Sequence, residues 1–536
     1  MRGQRPDTSP FQEYPRNETT LFTSFTSADM AKAVSAKDMK KIEAKLDGKK
    51  VEKADFATPK AYTWFRVAAY SCFNPNTTEV ADPAQPPGFA IGQMELFGVS
   101  TAKGAARPMS ETAQADVKRE VAETVKPPAF NVPFIISYWV GPPKSETTLA
   151  RYKEIAECGF NVAYPAENNL WAKNDKEQDA HNKKYLDLCR QAGLKAFLWD
   201  GNVAGCGGFD KAPTPEEIPQ IEKTLDGMIA RHSSHPAFLG FVLGDEGNTA
   251  EGNKRLGVVN QYLLRKDPTH LPYYNLLPNY AQGFVQGPAG GYDRFIADYI
   301  RDAKPAFVSW DHYRQMFEGG DENYYWNNLE IVRKHCLKAK IPYNQIIVSF
   351  RHMGYRECSE ADLRWQVYTS LAYGSRGIQY FTYWFVPGLA WADAPALISK
   401  EGKRDVKWEY VKKINHRIAK LGPTLVNLTS TGAYCNDPLP PGARRLNASA
   451  EAPVIEGEGG PLLVGCFTDP DGKQYVFPVN RSFSSRITAR LTMAEKFVFA
   501  CELSQETGKP LPAVSVKRKA LEVRLEPGEG RLFLLK

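Results

Sequence analysis

The chain has 536 residues, of which 43% are hydrophobic and 24% charged, so it is a folded globular protein several times the size of one domain. No apolar run approaches the roughly 20 residues that a membrane-spanning helix needs, and we expect no membrane span. The net charge of +7 comes without any cluster of basic residues, which argues against nucleic acid as a partner. The nine cysteines form no CxxC pair, which argues against a zinc site and a disulfide scaffold.

The first 130 residues differ in pattern from the rest. Residues 1–100 contain a helix-like stretch and two strand-like runs, which predict a small β-rich region. Residues 101–130 are rich in Ala, Lys, Glu, Thr and Pro and lack apolar periodicity, which predicts a linker. No basic start followed by an apolar stretch is present, so we expect a cytoplasmic protein or one whose export signal was removed.

From residue 131 to 423, short apolar runs alternate with amphipathic stretches of helical period. Eight runs are strand candidates, at 134–141, 160–166, 195–201, 238–247, 272–280, 307–313, 345–350 and 377–384. Of the helices between them, one is predicted from Ser145 to a stop at Gly159, one opens at Thr214, and the last covers 407–420. Eight strands each followed by a helix predict an α/β fold of the (β/α)8 TIM barrel type, because a doubly wound sheet shows fewer units and a Gly-rich first turn.

After residue 423 the helical period ends and strand-like runs return. They lie at 462–469, 474–482, 487–493, 496–503, 520–525 and 531–536, separated by Asp-Gly and Pro-Gly turns. Residues 424–536 are therefore predicted to form an all-β sandwich. Because Leu421-Gly-Pro-Thr follows the last helix without a spacer, we expect this sandwich to dock on the barrel.

Candidate site residues follow the predicted strand ends, where barrels of this kind place their active sites. In chain order they are Trp139, Glu167, Trp199, Asp200, Asp245, Glu246, Asn279, Asp311, His312, Tyr313, Arg351, Tyr383 and Trp384. Carboxyls can donate or accept protons, amides bind hydroxyls, and aromatic rings stack on the apolar faces of a pyranose. The pattern predicts a carbohydrate site.

Several of these residues also have a structural interpretation. Glu246 could belong to the first turn of the next helix, where acids are favoured. Asp311 could form an ion pair with His312 or Arg351, and the rings of Tyr383 and Trp384 could be barrel packing. Asp200 and Asp245 are predicted to bind substrate rather than to catalyse.

The stretches GFVLGDEG, VSWDHY and YGSRGIQYFTYW resemble the glycoside hydrolase superfamily of (β/α)8 enzymes, in particular the β-galactosidase-like clan. The stretches DPDGKQYVFPVNRS and LEPGEGRLFLLK resemble the small β-domain that follows the barrel in many of these enzymes. GFAIGQMELFGVS resembles the last strand of discoidin-like carbohydrate-binding sandwiches. The clan's acid/base Glu ends strand four, which implies Glu246. Its nucleophile Glu ends strand seven, where this sequence departs with VSFRHMG. Other barrel glycosidases pair carboxylates from strands four and six, which implies Asp311.

The sequence thus favours a glycosidase that needs no metal or cofactor and cleaves a poly- or oligosaccharide. Glu246 would protonate the leaving oxygen, and Asp311 would act as nucleophile or base. One alternative is a barrel that binds carbohydrate without catalysis; another is a metal-dependent hydrolase using Asp200, Asp245, Asp311 and His312. Two β regions beside a barrel suit an external polysaccharide, so by analogy we expect a secreted, periplasmic or surface protein.

Overall fold

A computed structural model describes residues 132–165, 175–247, 249–281, 291–315, 322–390, 393–446, 452–516 and 520–536. The chain divides into two compact units, Met1–Val125 and Lys126–Lys536, and every described residue belongs to the second. The predicted β-rich region at 1–100 and the linker at 101–130 lie outside the described residues.

Eight parallel strands form a nearly closed barrel. They are β1 (Ile135–Trp139), β2 (Val162–Ala163), β3 (Lys195–Leu198), β4 (Phe238–Asp245), β5 (Leu271–Leu276), β6 (Val308–Asp311), β7 (Tyr343–Val348) and β8 (Gly377–Phe381). Neighbours in sequence pair from β2 to β8, and β8 returns to β1 with Gly377 opposite Ile135. Each strand overlaps its predicted run, which confirms the TIM barrel.

The side chain of Asn161 completes the barrel between β1 and the two-residue β2. The Asn161 Nδ2 donates to the carbonyl of Phe134 at 2.7 Å, and its Oδ1 accepts from the N–H of Ile136 at 2.8 Å. The backbone N–H of Asn161 also donates to the Ile136 carbonyl at 3.1 Å. One asparagine therefore satisfies backbone groups of β1 that a longer β2 would otherwise pair.

A helix follows each strand. The helices are α1 (Leu149–Glu157), α2 (Asp175–Gln191), α3 (Ile218–His232), α4 (Ala250–Lys266), α5 (Gly291–Ala303), α6 (Glu322–Ala339), α7 (Glu360–Ala372) and α8 (Val406–Leu425). The predicted start of α1 at Ser145 is wrong: Ser145 lies in a short 3-10 turn, and Thr148 caps the helix by accepting from the N–H of Arg151. In the described part of the chain, no helix has the length and apolarity required to cross a membrane.

The last helix is longer than the sequence predicts. It continues past Lys420 through Gly422 and Pro423 to Leu425, although proline removes a helical N–H donor. Leu421 and Leu425 are buried, and a Cβ on Gly422 would lie 2.7 Å from the ring of Phe134. Packing against the start of the barrel therefore stabilises this turn beyond its local propensity.

The C-terminal strands form two antiparallel sheets, which confirms the all-β prediction. The strands are β9 (Thr429–Cys435), β10 (Val454–Glu458), β11 (Leu462–Thr468), β12 (Gln474–Asn480), β13 (Ile487–Met493), β14 (Phe499–Glu502), β15 (Val514–Ser515), β16 (Leu521–Leu525) and β17 (Phe533–Leu535). One sheet has the order β15-β14-β17-β12-β11-β9 and the other β10-β13-β16. Val464 and Val476 of the first sheet share a core with Leu491 and Leu525 of the second. Strands β9, β10 and β15 were not predicted.

Helix α7 is buried between the barrel and the sandwich. On one side, the Gln366 side chain accepts from the Val348 N–H at 3.0 Å. On the other, Trp365 Nε1 donates to the Arg481 carbonyl at 3.1 Å, and the Tyr368 hydroxyl donates to Gln505 Oε1 at 3.1 Å. Because one helix contacts both the barrel and the sandwich, the sandwich is docked on the barrel.

Substituting Gly528 should test this docking. A Cβ at Gly528 would meet the Ala361 carbonyl oxygen at 2.5 Å and the Trp365 nitrogen at 2.6 Å, whereas a Cβ at Gly472 would meet nothing within 4 Å. Both glycines have positive φ, +71° and +80°, so alanine strains the backbone similarly at both positions. We expect Gly528→Ala to lower the free energy of unfolding, measured in urea, by about 1–3 kcal/mol more than Gly472→Ala does. Equal losses would contradict the docking contact.

Candidate active site

Three neighbouring strands bring two acidic residues and one amide together at the carboxyl end of the barrel. The register places Asp245 at the end of β4 beside Asn275 of β5, and Asn275 beside Ser309 of β6. Asp311 lies two residues beyond Ser309 and faces the same side of β6. The Asn275 Nδ2 donates to Asp245 Oδ1 at 3.0 Å and to Asp311 Oδ1 at 3.1 Å. A single amide group therefore joins the two carboxyls.

A turn after β4 adds Glu246 to this end of the barrel. Glu246 has a φ of +52°, which is rare for a residue with a side chain, and its N–H donates to the Asn275 carbonyl at 3.0 Å. The flanking glycines admit the ring of Tyr274, since a Cβ would lie 2.6 Å from it at Gly244 and 2.0 Å from its hydroxyl at Gly247. Because α4 begins only at Ala250, Glu246 is not part of a helical first turn.

The three carboxyls share an environment that disfavours their charged forms. Asp245 and Glu246 are exposed to water, although protein atoms are dense around both carboxyls. This loss of hydration raises the pKa of Asp245 to about 6, against the opposing hydrogen bond from Asn275. The pKa of Glu246 is raised to about 7, mainly by burial and to a smaller extent by the charge of Asp245. Asp311 is only 4% exposed, and burial together with the charges of Glu246 and Asp245 raises its pKa well above its ordinary value.

Such a cluster loses its protons in steps that belong to the group as a whole. Each ionised carboxyl raises the pKa of the next, so near neutral pH the cluster holds protons beside negative charge. A proton donor next to an ionised carboxylate is the requirement of general acid catalysis with a second carboxylate as nucleophile or base.

A chain of hydrogen bonds through the barrel interior supports the amide. Ser309 Oγ donates to Asn275 Oδ1 at 3.1 Å and lies 2.9 Å from the Tyr273 hydroxyl. The Gln379 Oε1 accepts from Tyr273 and from Trp139 Nε1, each at 2.8 Å. All five side chains are buried. Trp139, predicted to contact substrate, is thus placed in the barrel interior as part of this chain.

The two residues that follow Asp311 in the chain, His312 and Tyr313, lie in different surroundings. The ring of Tyr313 stacks on Phe381 with centroids 5.5 Å apart, and burial together with the nearby carboxylates raises its pKa well above the ordinary value. Tyr313 therefore lies beside the cluster. His312 is buried with Nδ1 2.8 Å from Asn328 Oδ1 on α6, so Asp311 is not its partner in this bond.

Two further predicted residues lie elsewhere along the same end. The amide of Asn279 donates to the Tyr324 carbonyl of α6 at 3.0 Å. Arg351 follows β7 and is half-buried. Glu167 lies outside the described residues.

Asp200 is directed toward α3 and not toward the cluster. Its oxygens accept from Asn202, Arg231 and His232 at 2.8–3.0 Å. Burial alone would raise the pKa of Asp200, but the hydrogen bonds from His232, Asn202 and Arg231 outweigh it and hold that pKa below its ordinary range. The neighbouring Trp199 is half-buried.

The four residues of the metal-dependent alternative do not gather in one place. Within the described ranges, the side chains near enough to share a metal ion are Asp179, Asp200 and His232. Arg231 already forms ion pairs there, at 3.3 Å with Asp179 and 3.0 Å with Asp200. A guanidinium thus supplies the positive charge at that cluster.

Tyr383 and Trp384 pack against α1. The Tyr383 hydroxyl donates to Glu154 Oε2 at 3.4 Å, and the Arg151 guanidinium lies over the Trp384 ring at 5.1 Å. Both side chains are buried. A role for them as the floor of a sugar subsite stays a prediction.

The supports of the carboxyls were not among the site residues chosen from the sequence, although Asn275 was expected at the end of the fifth strand: Tyr273, Asn275, Ser309 and Gln379. A detectable signal existed in β6, where Ser309 and Asp311 share one face through strand alternation. A polar side chain at such an inward position requires a partner. No sequence feature indicates which strand supplies it.

No protein family model and no curated protein matches the chain. A β-galactosidase from Bacillus circulans sp. alkalophilus has a similar structure at 9% identity, with a TM-score of 0.51 over 75% of this chain and 99% of that chain. A catalytic mutant of a GH42 β-galactosidase from G. stearothermophilus matches at 9% identity, with a TM-score of 0.50 over 76% and 99% of the two chains. A glycoside hydrolase family 5 structure from Bacteroides vulgatus ATCC 8482 matches at 13% identity, with a TM-score of 0.46 over 75% and 90%. The protein has the fold of β-galactosidase-like glycoside hydrolases. At the level of the fold, this confirms the resemblance of the barrel and of the C-terminal β-domain; the discoidin-like stretch lies outside the described residues.

The raised pKa of Glu246 should appear in the pH dependence of stability. Because the folded protein favours the protonated form, this contribution to stability is complete at low pH and is lost as the pH rises from about 4.5 through about 7. The Glu246→Gln variant should lose less free energy of unfolding between pH 5 and pH 8 than the wild type, by about 1 kcal/mol after allowance for solvent screening. The exposed Glu251→Gln variant on α4 is the control. If the free energy of unfolding of Glu246→Gln depends on pH as that of the wild type does, the pKa of Glu246 is not raised.

Proposed function

We propose that the protein is a glycoside hydrolase that cleaves a glycosidic bond in a poly- or oligosaccharide with carboxyls at the barrel mouth. The supporting observation is that Glu246, Asp245 and Asp311 meet at the carboxyl ends of β4 and β6, and that all three are hydrogen-bonded to Asn275. Active sites of TIM barrels lie at this end. The similar structures are described as glycosidases, which agrees with the proposal through the fold.

Glu246 is the proposed general acid. Its pKa, raised to about 7, leaves a substantial protonated fraction near neutral pH, and the carboxyl is open to the solvent from which a sugar would enter. The turn that contains Glu246 is held to β5 by the bond to the Asn275 carbonyl. A positioned proton donor of this kind accelerates departure of a poor leaving group.

Asp311 is the proposed nucleophile or water-activating base. Its burial and its acidic neighbours oppose ionisation, while the N–H of Asn275 favours it. Asp311 therefore becomes anionic most readily when Glu246 and Asp245 hold protons. That state combines a proton on Glu246 with one negative charge on Asp311, as a two-carboxyl mechanism requires.

The residues that directly follow β7 supply no carboxylate for this mechanism. Arg351 and His352 follow the strand there, and burial lowers the pKa of His352 to about 4, so this imidazole is neutral near pH 7. This departure also favours the second candidate function, a barrel that binds carbohydrate without cleaving it. Sugar affinity without turnover in the purified protein would support that alternative.

Two variants on two substrates should separate the proposed roles. Glu246→Gln should lose at least about 100-fold in rate on a natural glycoside and much less on an aryl glycoside, because an acidic phenol departs without protonation. Asp311→Asn should reduce both rates alike, since an attacking carboxylate is needed for either leaving group.

Aryl β-galactosides are the first substrates to try, because the similar structures include β-galactosidases, and Glu251→Gln is the control for a change of charge on the same side of the barrel. Near-normal turnover of a natural glycoside by folded Glu246→Gln would exclude this acid. If Asp245→Asn and not Asp311→Asn reduces both rates, the nucleophile assignment moves to Asp245.

A further inference from the structure

Asn275 contacts all three acidic residues of the barrel mouth. Its backbone carbonyl accepts from the backbone N–H of Glu246 at 3.0 Å. Its side-chain Nδ2 donates to Asp245 Oδ1 at 3.0 Å and to Asp311 Oδ1 at 3.1 Å. The residue is 3% exposed, so its own donor and acceptor atoms are shielded from water. An uncharged side chain thus occupies the place between two carboxyls.

The orientation of this amide suits ionised carboxyls. Ionised carboxylate oxygens only accept hydrogen bonds, and the nitrogen of Asn275 faces Asp245 and Asp311. The oxygen then accepts from Ser309 Oγ at 3.1 Å. Ser309 in turn lies against Tyr273, which is bonded to Gln379. The reverse orientation would place the amide oxygen against two carboxyl oxygens.

We infer that Asn275 is a positioning residue that holds one negative charge on the Asp245 and Asp311 pair, and that Ser309 locks its amide in the orientation this requires. Each N–H stabilises the ionised form of the carboxyl that it contacts. The amide thereby allows one of the two carboxyls to be anionic while Glu246 retains its proton. The value of this arrangement for catalysis rests on the proposed glycosidase function, whereas the charge distribution itself does not.

Within the described residues, several buried tyrosines sense the charges of the pair. Burial raises the pKa of each one: Tyr164, Tyr273, Tyr274 and Tyr313 sense the charge of Asp245, and Tyr280, Tyr292 and Tyr313 that of Asp311. Glu246 is the third carboxyl of the cluster, and His312 beside Asp311 is bonded to Asn328. A change at Asn275 should therefore be visible in the titration of the carboxyls between about pH 4 and pH 8.

The experiment is a pH titration of the full chain with ¹³C-labelled aspartate carboxyls, followed by NMR. Asp245→Asn and Asp311→Asn assign the two signals. Asn275→Ala removes both donated bonds and should raise the titration midpoints of Asp245 and Asp311 by at least about one pH unit. Ser309→Ala frees the amide to turn and should move both midpoints upward by a smaller amount.

Asn344→Ala is the matched control. Asn344 is a buried asparagine of β7, opposite Ser309 in the register, and its amide has no hydrogen-bond partner in the described part of the chain. Its removal leaves a similar cavity but should leave the carboxyl midpoints unchanged.

Unchanged midpoints in folded Asn275→Ala would overturn the inference, even if the melting temperature falls, because a merely structural asparagine would behave in this way. If Asn275→Ala does not fold, unchanged midpoints in Ser309→Ala overturn it instead. Raised midpoints in a protein that cleaves no glycoside would uphold the positioning role and reject the glycosidase proposal. If the protein is a glycosidase, Ser309→Ala should shift the pH profile of kcat/KM in the same direction as the midpoints.

Discussion

A carboxyl removed from water is stable as an anion only where hydrogen-bond donors face it, and this constraint governs the mouth of the barrel. Asp311 is buried within reach of two other carboxyls, and the amide of Asn275 is a side-chain donor that faces it. That amide depends on Ser309, and Ser309 lies against a hydroxyl of the barrel interior. The polar interior of this barrel is therefore continuous with its acidic rim.

The barrel makes this arrangement possible because parallel strands deliver their carboxyl ends to one place. Residues 245, 275 and 309 are distant in sequence but adjacent in register. The scaffold that keeps this register is assembled from other parts of the chain. Asn161 completes the β1 edge with its side chain, and α7 joins the barrel to the sandwich. At the rim, Glu246 adopts a positive φ beside the carboxyl of Asp245.

The departure at β7 distinguishes this site from the clan that its sequence resembles. An arginine and a neutral histidine follow that strand, and the described carboxyls of the cluster come from the ends of β4 and β6. Three carboxyls on two strands repel one another more strongly than two carboxyls on opposite sides of a sugar would. A shared amide donor stabilises an anionic carboxyl within such a cluster.

The sequence by itself determined the strands of the barrel and the acidic residues at two of their ends. Alternating runs and helical periods located all eight barrel strands, and the acids of GFVLGDEG and VSWDHY were placed at strand ends correctly, because strand and helix periods are local properties. Only the tertiary structure decided which side chains meet. Asp200 follows a strand as Asp245 does, yet it turns to Arg231 and His232, and Trp384 packs under Arg151. Asn275 gained its place through the register of β4, β5 and β6, and α8 extends through Pro423 because Gly422 packs on Phe134. These outcomes depend on contacts between residues far apart in the chain, whose energies no local pattern contains.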